Sequence, residues 1–159
     1  MELIVATPGT TRGHSPKAHF LPKILESNSN LFPTEGIDQS KKLAKKLSHI
    51  CIDYIISSDY HAATQTVDII AHVHRPPLPP YDPDEVLNPF PTSQKEEHFQ
   101  ELQEFYAHLR ETHPEQAVLL VTFDQPGRIL SCLAQGKSLE KDLGQIPLLG
   151  YGEFSQFTL

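Results

Sequence analysis

Residues 118–121, Val-Leu-Leu-Val, are apolar at every position. A strand of that kind hides both faces, and a parallel sheet covered by helices above and below is the architecture that allows it. Leu3-Ile4-Val5-Ala6 is a second run of the same kind. Each run ends in a sharp turn, Thr7-Pro8-Gly9 after the first and Thr122-Phe123-Asp124-Gln125-Pro126-Gly127 after the second. In such sheets ligands bind beyond the carboxyl ends of the strands. The two turns are therefore where a site is expected, yet the first carries neither a charge nor a nucleophile.

Between these runs the apolar period lengthens to that of a helix. Ile37, Leu43, Ala44, Leu47 and Ile50 fall near one helical face after Thr34-Glu35-Gly36, with Lys41, Lys42, Lys45 and Lys46 on the other. Ile52-Asp53-Tyr54-Ile55-Ile56 predicts a second strand. Ser57-Ser58-Asp59 then predicts the cap of a helix through Ala63, Val67, Ile70 and Ala71. Arg75-Pro76-Pro77-Leu78-Pro79-Pro80 stops that helix, because proline removes a donor and fixes φ. Residues 76–91 read as a stiff surface connection with one extended segment near Leu78; the alternative is a proline-motif ligand for a partner. A helix from Ser93 carries the stripe Phe99, Leu102, Phe105, Tyr106 and Leu109 and ends near His113-Pro114. Ile129, Leu130 and Leu133 lead the next helix, and residues 151–159 alternate as a final strand. Residues 10–33 form a long polar stretch of the sort that tends to be functional. The alternation of strands and helices predicts an α/β fold, a three-layer α/β/α sandwich with a mainly parallel central sheet.

At 159 residues the expectation is one domain spanning 1–159. A net charge of -7 argues against nucleic acid as a partner. Hydrophobic content is 38% with a mean hydropathy of -0.33, and no apolar run approaches the ~20 residues that cross a membrane. No secretory leader is evident, and Cys51 and Cys132 form no metal pattern, so a cytoplasmic protein with reduced thiols is expected. The nine histidines are scattered, and neither a metal site nor a cofactor is predicted.

Four stretches, in order and at matching spacing, resemble the histidine phosphatase (phosphoglycerate mutase-like) superfamily, and among its members the small phosphohistidine phosphatases. The family opens with an apolar strand ending Arg-His-Gly; here the stretch is Val5-Ala6-Thr7-Pro8-Gly9-Thr10-Thr11. Its Leu-Thr-x-x-Gly before an Ala/Leu-rich helix corresponds to Leu31-Phe32-Pro33-Thr34-Glu35-Gly36 and the helix that follows. Its Ser-Ser-Pro-Leu-x-Arg-Ala-x-Gln-Thr-Ala corresponds to Ser57-Ser58-Asp59-Tyr60-His61-Ala62-Ala63-Thr64-Gln65-Thr66-Val67. Its late strand ending in Thr-His-Gly or Ser-His corresponds to Val118-Leu119-Leu120-Val121-Thr122-Phe123-Asp124.

In active members the resemblance implies a nucleophilic His, two Arg and a late His that grip the phosphoryl group, and an acid that protonates the leaving oxygen. Carried across, the first Arg falls on Thr7, the nucleophile on Pro8, the helix Arg on Ala62 and the late His on Phe123. Proline has no ring nitrogen that can attack, and phosphoryl transfer needs donors aimed at the developing charge. Losing a covalent nucleophile alone costs on the order of 10⁶ in rate. Asp82, Asp84 and Glu85 lie where the acid would be sought and are expected to be solvated.

No catalytic residue is therefore assigned. The pocket candidates are Thr7, Pro8, Gly9, Thr10, Arg12, His14, Ser57, His61, Ala62, Phe123, Asp124 and Gln125. The expectation is a pseudophosphatase that acts by binding a protein partner or by regulation, without nucleic acid or membrane. Its docking surfaces would be residues 10–33 and the Pro-rich 76–91. The alternative is a phosphatase or hydrolase with altered pocket chemistry, for a small phosphorylated or less charged ligand. Thr7, Asp124 and Gln125 would then be polar contacts, or His61 or His14 a substitute nucleophile.

Overall fold

Strand and helix alternate as the apolar periods predict. The computed structural model describes residues 1–11, 27–31 and 33–159. In chain order the elements are β1 (Glu2–Ala6), α1 (Glu35–Leu47), β2 (Tyr54–Ser57), α2 (His61–Val73) and β3 (Tyr81–Pro83). They continue with α3 (Lys95–Thr112), β4 (Ala117–Val121), α4 (Asp124–Ala134) and β5 (Phe154–Thr158). These strands form one sheet in the order β3-β2-β4-β1-β5. β1 to β4 pair in parallel, and β5 pairs antiparallel with β1.

β4 lies between β1 and β2, and all five of its residues are buried. That position explains the uninterrupted apolar run at 118–121. Alternate side chains leave the sheet on opposite faces. Leu3, Val5, Ile56, Val118 and Leu120 pack with Leu102, Tyr106 and Leu109 of α3 and Ile129 and Leu130 of α4. Ile4, Ala6, Ile55, Leu119 and Val121 pack with Leu43, Ala44 and Leu47 of α1 and Ala63, Val67 and Ile70 of α2. The result is the predicted three-layer sandwich with a mainly parallel sheet.

Local expectations shift by a few residues, each for a physical reason. β2 starts at Tyr54 rather than Ile52, because Asp53 clamps the start of β4 instead. Its N–H donates to the Ala117 carbonyl at 2.8 Å, and its carboxylate accepts from the Ala117 N–H at 2.8 Å. The cap of α2 is Tyr60, whose side chain makes no capping bond, and not the Ser57-Ser58-Asp59 expected. The His61 N–H at the helix start donates to the Ser27 carbonyl, 2.8 Å away. The extended segment expected near Leu78 forms at Tyr81–Pro83, since Pro79 and Pro80 have no N–H for a ladder. α3 begins at Lys95, after a 3₁₀ turn over Thr92–Gln94. The last strand is shorter than 151–159 because Gly152 sits at φ +66. On α1, Gly36 and Ser40 share the buried face with Leu43, Ala44 and Leu47, while Ile37 is half-buried; Ile50, expected on this face, lies beyond the end of the helix at Leu47 and is also half-buried. No helix among the described residues is long and apolar enough to cross a membrane.

Candidate functional site

The parallel pairing brings the turns after β1, β2 and β4 to one edge of the sheet. Backbone bonds join them: Thr122 N–H to the Ala6 carbonyl and Ser58 N–H to the Val121 carbonyl, both at 2.9 Å. The turns after β1 and β4 are thus neighbours, as their order in the sequence predicts.

The turn after β1 is enclosed. Thr7, Pro8, Gly9, Thr10 and Thr11 are all buried. The Thr7 hydroxyl donates to the Gly150 carbonyl, and the Thr7 N–H donates to Glu153 O at 2.9 Å. The Pro8 carbonyl accepts from Gly152 N–H at 3.0 Å. Pairing with the C-terminal segment therefore continues past the end of β1. Gly9 lies against α1: a Cβ there would sit 2.1 Å from Gly36 O. Reciprocally, a Cβ on Gly36 would sit 2.2 Å from Thr10 O. Only glycine fits either place, which accounts for both residues. The Thr10 N–H donates to Gln39 Oε1 at 2.7 Å.

At the second turn, Ser57 closes β2 and is fully buried, as is Ser58. Ser58 Oγ donates to Asn88 Oδ1 and accepts from Tyr60 N–H at 3.2 Å. The Asn88 amide in turn donates to Asp59 at 2.8 Å. Ala62 is 1% exposed inside α2, whereas His61 is exposed at its start. Further along α2, Thr66 Oγ1 donates to the Ala62 carbonyl at 2.8 Å and lies 3.2 Å from Ser40 Oγ. Gln65 Oε1 accepts from Leu31 N–H at 2.9 Å. Residues 27–31 are thereby tied across the start of α2.

At the third turn, Phe123 is half-buried and its ring meets that of Tyr60, with centroids 5.7 Å apart. Asp124 and Gln125 begin α4 and are exposed. Tyr151 stands beside them. Burial and the Asp124 carboxylate push its phenol above the usual range, while a hydrogen bond with Thr10 pulls it down. At neutral pH Tyr151 therefore keeps its proton.

Of the residues singled out in the sequence, Thr7 to Thr10, Ser57, His61, Ala62, Phe123, Asp124 and Gln125 all lie at or next to these turns. Arg12 and His14 lie outside the described residues, as does most of the 10–33 stretch. Asp82 and Glu85 are exposed, as expected, and Asp84 is half-buried; two of these carboxylates also hold structure. Asp82 accepts from the Tyr54 hydroxyl, and Asp84 caps a 3₁₀ turn by accepting from Val86 N–H at 2.9 Å. Sequence reasoning missed Gly150, Tyr151, Gly152 and Glu153, which complete the edge. The Gly-Tyr-Gly spacing, with its demand for a left-handed residue, was their one signal. It also missed Asn88, the partner of Ser58.

The available chemistry is narrow. Thr7 and Pro8 offer no base, and the proton-transfer groups among the described residues at this edge include His61, Asp59, Asp124, Glu153 and Tyr151.

Residues 28–90 match the model of the histidine phosphatase superfamily (branch 1). The matched range contains Ser57, His61 and Ala62, and it leaves out the turn at 7–9 and Phe123. No curated protein matches the sequence. Among solved structures, the chain is similar to the protein histidine phosphatase SixA complexed with tungstate, at 17% identity and TM-score 0.74, covering 100% of this chain and 88% of that one. A putative alpha-ribazole-5'-P phosphatase from Escherichia coli is similar at 17% identity and TM-score 0.74, covering 98% and 89%. A mycobacterial glucosyl-3-phosphoglycerate phosphatase complexed with VO3 is similar at 14% identity and TM-score 0.74, covering 98% and 90%. At these identities the likeness shows the fold.

Proposed function

We propose that this chain, which its family match and its fold support as a histidine phosphatase superfamily member, is a catalytically degenerate one that acts by binding or regulation. The observation that carries the reading is the buried turn after β1. The position that the resemblance gives to the nucleophile is Pro8, which has no attacking nitrogen. The position given to the first Arg is Thr7, whose hydroxyl is bound to the Gly150 carbonyl. Ala62, inside α2, has no donor for an equatorial phosphoryl oxygen, and the Phe123 ring meets that of Tyr60 at a tilt. Electrostatic stabilisation of phosphoryl transfer depends on donors at those places. The reading includes a single domain, a cytoplasmic location and a protein partner.

The second reading, a phosphatase or hydrolase with altered pocket chemistry, draws on the exposed groups of the same edge. His61 at the start of α2 is an imidazole open to solvent, and Asp124, Gln125 and Tyr151 are polar contacts for a less charged ligand. Two of the similar structures are complexes with tungstate or VO3.

Turnover on phosphohistidine and on generic phosphomonoesters separates the two. The first reading expects no turnover and no histidine label after incubation with radioactive phosphodonor. Activity that disappears with His61→Ala overturns it.

A further inference from the structure

We propose that His74 is a proton-operated clamp: with both ring nitrogens protonated it fastens the loop after α1 to the proline segment before β3, and losing one proton releases one of the two. The clamp uses no residue of the candidate edge and does not depend on the reading given above.

A count of donors and acceptors carries the inference. His74 follows the last residue of α2 and is 2% exposed. Among the described residues it is the only buried histidine. Its Nδ1 lies 2.8 Å from the Pro76 carbonyl oxygen, and its Nε2 lies 2.9 Å from the Ile50 carbonyl oxygen. A carbonyl oxygen only accepts, and a neutral imidazole has one N–H. With one proton, the second nitrogen turns its lone pair on an oxygen at hydrogen-bond distance. With two, both nitrogens donate, and every buried polar atom of the ring is paired. The geometry is that of the imidazolium.

Opposing terms make the charge conditional. Burial strips solvent from a cation. Arg75 adds a like charge beside the ring, its guanidinium donating to the His72 and His74 carbonyls at 3.2 and 2.7 Å. On the other side stand the two carbonyl dipoles and the end of α2, where the helix dipole favours a cation. No carboxylate decides the matter. On α2, Asp68 and His72 are exposed, as are Lys45 and Lys46 in the last turn of α1. On the loop that carries Ile50, His49 and Cys51 are exposed, and the Asp53 carboxylate accepts from Ala117 N–H. Residues 76–80 bear no charge, and Asp82 of β3 is bound by the Tyr54 hydroxyl. Among the described residues no acid pairs with the His74 ring.

The two pieces that the ring joins both lead into the sheet. Ile50 precedes β2, and β3 is the edge strand beside β2. Residues 76–80 run into β3, where Tyr81 pairs with Ile55. Just beyond β3 the Asp84 N–H donates to the Ser57 carbonyl at 2.9 Å. β3 has only three residues, so its hold on the sheet depends on how its lead-in is fixed. The clamp is closed at the acid end and opens as pH rises.

The test is NMR of the intact, isotopically labelled chain over about pH 5 to 8, the range in which imidazoles change charge. Through-bond correlation assigns the His74 ring, and His74→Gln confirms the assignment, with thermal melting as the check on folding. At the acid end both ring nitrogens of His74 are expected to carry protons. As pH rises the ring should lose one, and the carbonyl carbon resonance of Ile50 or Pro76 should move with the same midpoint. The amide of Leu78, the one backbone N–H within 76–80, should follow it. In His74→Gln these steps should vanish. A His74 ring that is neutral throughout the range, or charged throughout, overturns the proposal. So does a ring titration that leaves both carbonyls and the Leu78 amide in place. None of these results touches the reading of the β1 turn, which the turnover assay decides.

Discussion

The turn after β1 and the junction between β2 and α2 lie on the same sheet edge, yet they relate to the family pattern in opposite ways. At the junction the pattern persists at Ser57, Ser58, Ala63, Gln65 and Thr66 but not at Ala62, and several of the residues kept hold the structure together. Ser58 joins Asn88 and Tyr60, Gln65 ties down Leu31, and Thr66 bonds within α2 beside Ser40. At the β1 turn one residue of the pattern persists, Gly9, and it too has a backbone reason, its contact with Gly36 O. The residues that differ, Thr7, Pro8, Ala62 and Phe123, stand where the resemblance places chemistry rather than support. Scaffold and chemistry thus part company residue by residue, within a few ångströms.

That contrast can be broken experimentally. The largest effect is expected from Gly9→Ala. The new Cβ meets a backbone carbonyl, so about 3 kcal/mol or more of stability should disappear in a denaturant melt. A loss under ~1 kcal/mol would mean that the turn shifts freely and that Gly9 is incidental. Ser58→Ala should cost about 1–2 kcal/mol, because it leaves the half-buried Asn88 amide and Tyr60 N–H short of a partner each. Thr7→Val keeps the shape and removes one hydroxyl, so about 1 kcal/mol is expected. If Thr7→Val abolished a measured turnover while leaving stability intact, the hydroxyl would be chemical and the contrast wrong. Pro8→His alone should yield no phosphohistidine turnover, since an imidazole without the surrounding donors gains little.

The smallest effect concerns Tyr151. Folding raises its phenol, so its contribution to stability is present below the usual phenol range near pH 10. It is lost as pH rises through the folded value. Tyr151→Phe should flatten that alkaline decline. Asp124→Asn should lower the Tyr151 pKa, read from its ring carbons by NMR. A Tyr151 titration indifferent to Asp124→Asn would separate the β4 turn from the C-terminal segment.

The layers of the fold were legible because burial writes a period. The runs at 3–6 and 118–121 could only be covered strands, and the stripe from Phe99 to Leu109 could only face a core. The site was legible in part. Thr7, Pro8 and Phe123 were found by their place after strands, which is topology and therefore sequence-encoded. The partners that enclose the β1 turn were not found, because Gly150 and Glu153 use backbone carbonyls, and a carbonyl leaves no mark on residue type. Asn88 was missed for a related reason, since one amide 30 residues from its serine has no spacing rule. The boundaries of β2 and β3 shifted where a single carboxylate or a missing proline N–H decided the register.

The central place of β4 also bears on how the chain is made. Among the described residues β1 pairs with β4 and β5, and its register sets Glu2 against Ala117 and Thr158. An emerging chain therefore carries the fully apolar Leu3 to Ala6 with neither neighbour until the last third is synthesised. β2 likewise lacks its inner neighbour until then. Contacts this distant in sequence make assembly slow and leave strand edges open meanwhile. The feature that makes the finished sheet secure, a wholly buried strand at its middle, is the one whose absence leaves the unfinished sheet's apolar edges open.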